Sequence, residues 1–398
     1  TLTAASVVFG AEAQVTESGL PYWKDIRTVS VNKEPARSSF MTYADRSEAL
    51  TGKYEKSSYY RLLNGTWRFF YAESEAHLPA GITDSSANTE GWHDIQVPGN
   101  WEIQGHGVAI YTNHGYEFQP RNPQPPKLPE ANPVGVYRRE IEVPTDWMER
   151  DIYLHIAGAK SGLYVYINGH EAGYSEDSKN PAEFLINPYV HAGKNTLTLK
   201  IYRWSTGSYL ECQDFWRISG IERDVSLYAQ PKAAVKDFSI KSTLDDSYSN
   251  GIFSLKADLR NRRGEASELS LTYELLDAEG KTIATETRST LIAAGGERTL
   301  SFEAQPGAVH TWTSEHPYLY KLLMTVREKG KVTEVIPSRV GFRRIEIKPI
   351  EEKAANGMPY VCFFVNGQPI KLKGVNMHEH NPATGHYVPE ELMRRDLE

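Results

Sequence analysis

A chain of 398 residues exceeds what one ordinary core supports, so two or three domains are the starting expectation. The 44 lysines and arginines against 51 aspartates and glutamates leave it mildly acidic, with no run of five like charges, which argues against nucleic acid as a partner. The two cysteines, Cys212 and Cys362, exclude a disulfide framework and a Cys-x-x-Cys metal site, and no apolar run reaches the roughly 18 residues of a membrane span.

The chain opens on "TLTAASVVFGAEAQ", where Ala11-Glu12-Ala13 matches the small-residue pattern before a signal cleavage site. Residues 1–20 therefore read either as a secretory signal without its basic start, giving a periplasmic or secreted protein, or as an unstructured end of a cytoplasmic one. From about Arg61 to Tyr228 apolar and polar residues alternate, as in "TWRFFYAE", "DIYLHIAG" and "TLTLKIYRW", the pattern of half-buried strands. Asn168-Gly169 between two such runs predicts a two-residue hairpin turn with positive φ. The stretch from His114 to Val134 carries six prolines, which forbid central-strand pairing and predict a long surface loop.

Past Gln230-Pro231 the composition shifts to short strands separated by turn clusters, a second β-sandwich of immunoglobulin size with no cluster suggestive of chemistry. Asn366-Gly367 marks another hairpin, followed by a predicted strand from Ile370 to Val375 and a helix start at "VPEELMRRDLE". The domains expected are 21–230, 231–342 and 343–398, the last opening with one β/α unit.

Between strand and helix lies "KLKGVNMHEHNP". On an extended strand His378 and His380 face one side. They either hold a divalent metal such as zinc, with His386 six residues on as a third candidate, or pack and hydrogen-bond at a strand end.

Taken together, "VPGNWEIQGHGVAIYTN", "NPVGVYRREIEVP", "RWSTGSYLECQDFWRISGIERDVSLYAQP", "GFRRIEI" and "FFVNGQPIKLKGVNMHEH" resemble, in order and spacing, family 2 glycoside hydrolases, in particular the large bacterial β-galactosidases. The resemblance runs from about Tyr22 to the last residue. It implies a mainly β chain: a jelly-roll sugar-binding domain, an immunoglobulin-like sandwich and the start of a catalytic TIM barrel. A barrel takes roughly 250 residues, and 56 follow Phe342. In the family the acid/base glutamate follows an asparagine on a late barrel strand, and this sequence contains no Asn-Glu pair. The catalytic pair is therefore expected beyond Glu398, and Glu379 is expected to be a structural carboxylate.

By resemblance, Asn100 in "VPGNW", Asp214 in "CQDFW" and His378 in "NMHEH" match residues that reach the galactosyl ring, and Asp214 helps to hold a monovalent cation beside it. Read without the family, Asn100 caps a turn and Asp214 pairs with Arg217. Trp101 and Trp216 are expected in the core, and Tyr111 stays open. The family also implies Mg and Na, mostly bound outside this chain, a β-galactoside as partner and a homo-oligomeric full-length protein. Two departures stand out: Met377 where arginine is common, and Thr206 where an acidic residue is frequent. The competing readings are a non-catalytic carbohydrate-binding or assembly module, and a family 2 β-glucuronidase or β-mannosidase. The expectation for the 398-residue chain alone is no turnover of an aryl β-galactoside, and hydrolysis by it would mean that the catalytic carboxylates are misplaced.

Overall fold

The computed structural model describes residues 18–119 and 121–398; the signal-like pattern at 11–13 lies outside the described residues. Asn168 and Gly169 do take positive φ, 51° and 84°, and turn strand Gly162–Ile167 back on His170–Ser175. That hairpin belongs to a seven-stranded antiparallel sheet, in which Leu199 of the strand Gly193–Tyr202 pairs with Val165 on one side and Tyr137 on the other. A four-stranded sheet built on Asp151–Ile156 and Val225–Gln230 completes the sandwich. Its core includes Trp67, Phe69, Ile152, Leu154, Phe184 and Leu197, each at most 1% exposed.

The alternating pattern predicts half-buried strands, yet all six residues of Gly162–Ile167 are buried. The second face of the large sheet is covered as well. Tyr164, Tyr174 and Tyr202 pack there beneath Tyr22 and Trp23, with ring centroids 4.9–5.6 Å apart for the Tyr22–Tyr164, Tyr22–Tyr174 and Trp23–Tyr202 pairs. The Lys200 ammonium lies in the same layer, 4.8 Å from the Tyr164 ring centre, a cation–π contact that lets a lysine occupy a covered face.

The described residues of the Pro-rich stretch, 114–119 and 121–133, run irregularly, as expected. It is pinned by its own aromatics: Tyr116 and Phe118 pack on Tyr209, Phe118 also on Trp204, and Trp204 Nε1 donates to Glu117 at 2.9 Å.

Residues 37–60 and 229–376 form a second compact unit, and 18–36, 61–228 and 377–398 the first. The second unit is built on a three-stranded and a four-stranded antiparallel sheet with a core of Leu255, Leu259, Leu271, Leu322, Met324 and Ile336. Phe40 joins that core, and Tyr43 exchanges backbone hydrogen bonds with Val335 at 2.9 and 3.0 Å. This early segment, read in the sequence as part of the first domain, thus supplies the later sandwich. Buried Glu334 ties it down: the carboxylate accepts from Val235 N at 2.7 Å, Thr42 Oγ1 at 2.9 Å and Gln230 Nε2 at 3.2 Å.

Ile345–Lys353, Pro359–Val365 and Gln368–Ile370 make a small antiparallel sheet with the expected turn at Asn366-Gly367. The strand predicted through Val375 stops at Ile370. Among the described residues no neighbouring strand pairs with 371–376, and Leu372 and Val375 are 76% and 91% exposed. The helix Glu390–Leu397 follows, with Pro389 as its N-cap. No helix among the described residues is long and apolar enough to cross a membrane.

Replacing Glu334 by alanine strands a buried backbone N–H and two side-chain donors. Glu334→Ala should lower the unfolding free energy by about 3–5 kcal/mol in urea titrations, and Glu334→Gln by clearly less.

Candidate functional site

Two small pairings at one edge of the first sandwich assemble the site. Ile110–Thr112 runs antiparallel to Phe215–Arg217, placing Tyr111 opposite Trp216 just after Asp214. The Tyr111 hydroxyl donates to Asp214 Oδ1 at 2.8 Å, and both side chains are exposed. Gly220 pairs on one side with Asn100 and on the other with Lys160. Its φ of 118° and the Tyr137 hydroxyl 2.8 Å from any added Cβ require glycine, and this junction brings Asn100, Lys160 and Glu222 together.

Asn100 is completely buried. Its amide donates to Ser219 O at 3.1 Å and Glu222 Oε1 at 3.3 Å, and its Oδ1 accepts from His386 N at 2.8 Å. Glu222 also accepts from His386 Nδ1 at 2.7 Å and from Lys179 Nζ. Burial alone would raise the Glu222 carboxyl, but the hydrogen bond from His386 and the Lys179 and Lys160 charges outweigh it and hold it at about 2. Burial lowers His386, against the pull of Glu222; its Nδ1 is the donor in their bond, since an ionised carboxylate can only accept. Its Nε2 has no hydrogen-bond partner among the described residues.

Beside this cluster opens a cavity of about 500 Å³, a size usual for small-molecule sites. Phe215, His378, Glu379, Lys160, Lys179, Glu211 and Arg223 are among its lining residues. The His378 ring lies 5.9 Å from Phe215 and nearly parallel to it, at 14°. The Lys160 and Lys179 ammonium groups stand 5.3 and 5.6 Å from the same ring centre. Burial pushes the Lys160 ammonium down, opposed by Glu222.

Of the three residues singled out in the sequence, His378 lines the cavity, Asp214 stands exposed on the strand edge next to it, and Asn100 lies in the buried cluster. Asp214 bonds Tyr111, whereas the acid facing Arg217 is Glu117 at 3.9 Å. Trp101 is in the core, and Trp216 is only half-buried, its ring 5.8 Å from His380. His378 and His380 do not share a strand face, because the backbone turns tightly there, with His380 N donating to His378 O. No group of three or more His, Cys, Asp or Glu among the described residues is placed to hold a metal ion. Glu379 is exposed and pairs with Arg223 at 3.3 Å. At the departure Thr206, the hydroxyl donates to buried Glu176 at 2.9 Å, so an acid reaches this spot from just past the strand His170–Ser175. The sequence reading passed over Glu222, Lys160 and Lys179; "GIERDV" held Glu222 in view, but only the pairing at Gly220 brings it to Asn100.

Comparison with known sequences decides the family. Residues 60–231 match the family described as glycosyl hydrolases family 2, sugar binding domain; 233–343 match glycosyl hydrolases family 2; and 360–398 match the TIM barrel domain of the same family. The chain belongs to glycosyl hydrolase family 2. It is 36% identical over 373 residues to a β-galactosidase of Priestia megaterium, covering 92% of this chain and 35% of that protein. It is 37% identical over 385 residues to one of Halalkalibacterium halodurans, covering 96% and 36%. The family 2 chain thus spans about a third of the length of these relatives. Among solved structures, a Bacteroides uniformis β-glucuronidase superposes with a TM-score of 0.69 at 24% identity, over 85% of this chain and 37% of that one. A β-glycosidase from Bacteroides vulgatus gives 0.64 at 22%, over 85% and 39%. At such identities the likeness is one of fold.

Two of the buried glutamates, Glu222 and Glu102, should answer pH in opposite ways. Glu222 lies below the ordinary carboxylate value of about 4.3, so its stabilisation is complete above that value and is lost as pH falls toward about 2. Burial holds Glu102 up at about 7, only partly offset by Arg203 and Ser219, so its contribution is lost as pH rises from about 4.3 toward 7. In thermal melts from pH 3 to 8, Glu222→Gln should flatten the acid limb and Glu102→Gln the neutral limb.

Proposed function

We propose that this chain forms the substrate side of a retaining β-galactosidase acting on terminal, non-reducing β-D-galactosyl residues. What supports the reading is the likeness to curated β-galactosidases over more than nine tenths of the chain, together with a cavity lined by an aromatic ring, an imidazole and convergent polar groups. A retaining glycosidase needs two carboxylates roughly 5–5.5 Å apart, one as acid/base and one as nucleophile. The residues of this chain do a different part of the work. Asp214 accepts sugar hydroxyls through the oxygen that Tyr111 leaves free, and His378 exchanges a hydrogen bond with another hydroxyl above Phe215, whose apolar face suits the C–H side of a sugar ring. Asn100 supports them from beneath.

The donor set does not fit a resident Mg site, since no acidic or imidazole group of three is present among the described residues. Asp214 fits one carboxylate ligand of a monovalent cation, the remaining ligands coming from elsewhere.

A second reading rests on the cavity's cations. Lys160, Lys179 and Arg223 would suit a uronate carboxylate and favour a β-glucuronidase. Titration of the 398-residue chain with methyl β-D-galactoside and methyl β-D-glucuronide, followed by NMR, separates the two. The galactoside should bind more tightly, and Asp214→Ala and His378→Ala should each weaken it by about tenfold, the loss of one good hydrogen bond. Tighter binding of the glucuronide would replace the first reading by the second.

A further inference from the structure

The segment 377–398 has one buried attachment to the first sandwich, beside the exposed Glu379–Arg223 pair and the contacts of His378 with Phe215 and His380 with Trp216. Gly385 and His386 are its only buried residues; Met377 is 71% exposed, and the helix Glu390–Leu397 buries none of its residues. The loop around that point is closed on itself, with Asn381 N donating to Gly385 O at 2.8 Å and Gly385 N to Asn381 O at 2.9 Å. The hydrogen bonds at the buried attachment converge on one anion. Glu222 receives His386 Nδ1, Asn100 Nδ2 and Lys179 Nζ, while Asn100 Oδ1 receives the His386 backbone N–H. Gly385 is fitted to this contact: its φ is +71°, and a Cβ there would collide with Asn100 Oδ1 and come within 3.0 Å of Ile218 Cδ1.

No ligand reaches this junction. Asn100 is 0% exposed, both hydrogens of its amide are used, and the Glu222 and His386 side chains are 2% and 1% exposed. Yet His378, eight residues before His386, stands on the cavity wall against Phe215, and His386 itself packs on the other reach of that ring at 4.9 Å. Fixing His386 therefore fixes the loop that carries His378. We propose that Asn100, Glu222 and His386 are positioning residues, a buried clamp that locks the 377–387 segment onto the sandwich and so sets the place of His378 at the cavity. Asn100 then acts on the sugar through the loop rather than by contact. The clamp stands on geometry alone; its consequence for sugar binding rests on the galactosidase reading above.

The test is hydrogen exchange of the 398-residue chain with its Asn100→Ala, His386→Ala, Gly385→Ala and His386→Asn variants. Asparagine carries a side-chain N–H at the position of Nδ1, the atom that meets Glu222. Exchange at the amides of Asn381, Gly385 and His386 should quicken at least tenfold in the three disruptive variants and stay near wild type in His386→Asn, while the core strand Gly162–Ile167 keeps its protection in all. That core strand reports whether each variant is folded, and a variant that loses it is set aside in favour of the others. Unchanged exchange at 377–387 in folded Asn100→Ala or Gly385→Ala overturns the clamp, as does failure of His386→Asn to rescue. The same samples titrated with methyl β-D-galactoside keep the two ideas apart. Exchange as expected with no wild-type binding removes the galactosidase reading and leaves the clamp; equal binding by all variants with unchanged exchange removes the clamp alone.

Discussion

A carboxylate only 2% exposed stays ionised when donors surround it, and around Glu222 they come from three separate stretches of chain. Asn100 arrives from the short strand Gly99–Asn100 within "VPGNW", Lys179 from the loop after the 162–175 hairpin, and His386 from just before the helix Glu390–Leu397. Each is far from the others in sequence. The glycine-centred junction at Gly220 makes the arrangement possible by letting backbone approach where a side chain would intrude. The same cluster borders the cavity where His378 stacks on Phe215 and the Lys160 and Lys179 ammonium groups face that ring.

The second unit repeats the tactic with a different result. Glu334 is also buried and also receives donors from distant segments, but its partners are a backbone amide, a hydroxyl and a neutral amide, so burial wins and its carboxyl is raised. Glu222, facing ammonium groups, is lowered. One anchor is charged and the other is inclined to neutrality, although both are glutamates on strands or at strand ends.

Much of the fold was legible. The hairpin turns at Asn168 and Asn366 follow from the need for positive φ, the strands from their alternation, and the helix start from Pro389 with two glutamates after it. Local patterns failed where the answer lay in a remote partner. Tyr164 and Tyr202 read as outward residues because the cover formed by Tyr22 and Trp23 lies some 140 residues or more earlier in the chain. Residues 37–60 carry no pattern that tells which sandwich they join; Phe40 and Tyr43 settle it by packing. The candidate site residues were singled out by family resemblance, whereas Glu222 was not, because a lone glutamate just past a strand gives no local sign of being an anchor.

The interleaving of the two units also fixes an order of events during synthesis. The first unit is complete as far as Tyr228, but its cavity wall resumes only at Met377, after the second unit has been made. At 5–20 residues per second, those intervening residues take roughly 7–30 s to emerge, far longer than a sandwich of this kind needs to collapse. Of the three donors that Glu222 meets in the folded chain, Asn100 and Lys179 are therefore made with the first unit, whereas His386 emerges only after the second. Glu222 thus joins parts of the chain that are synthesised well apart in time.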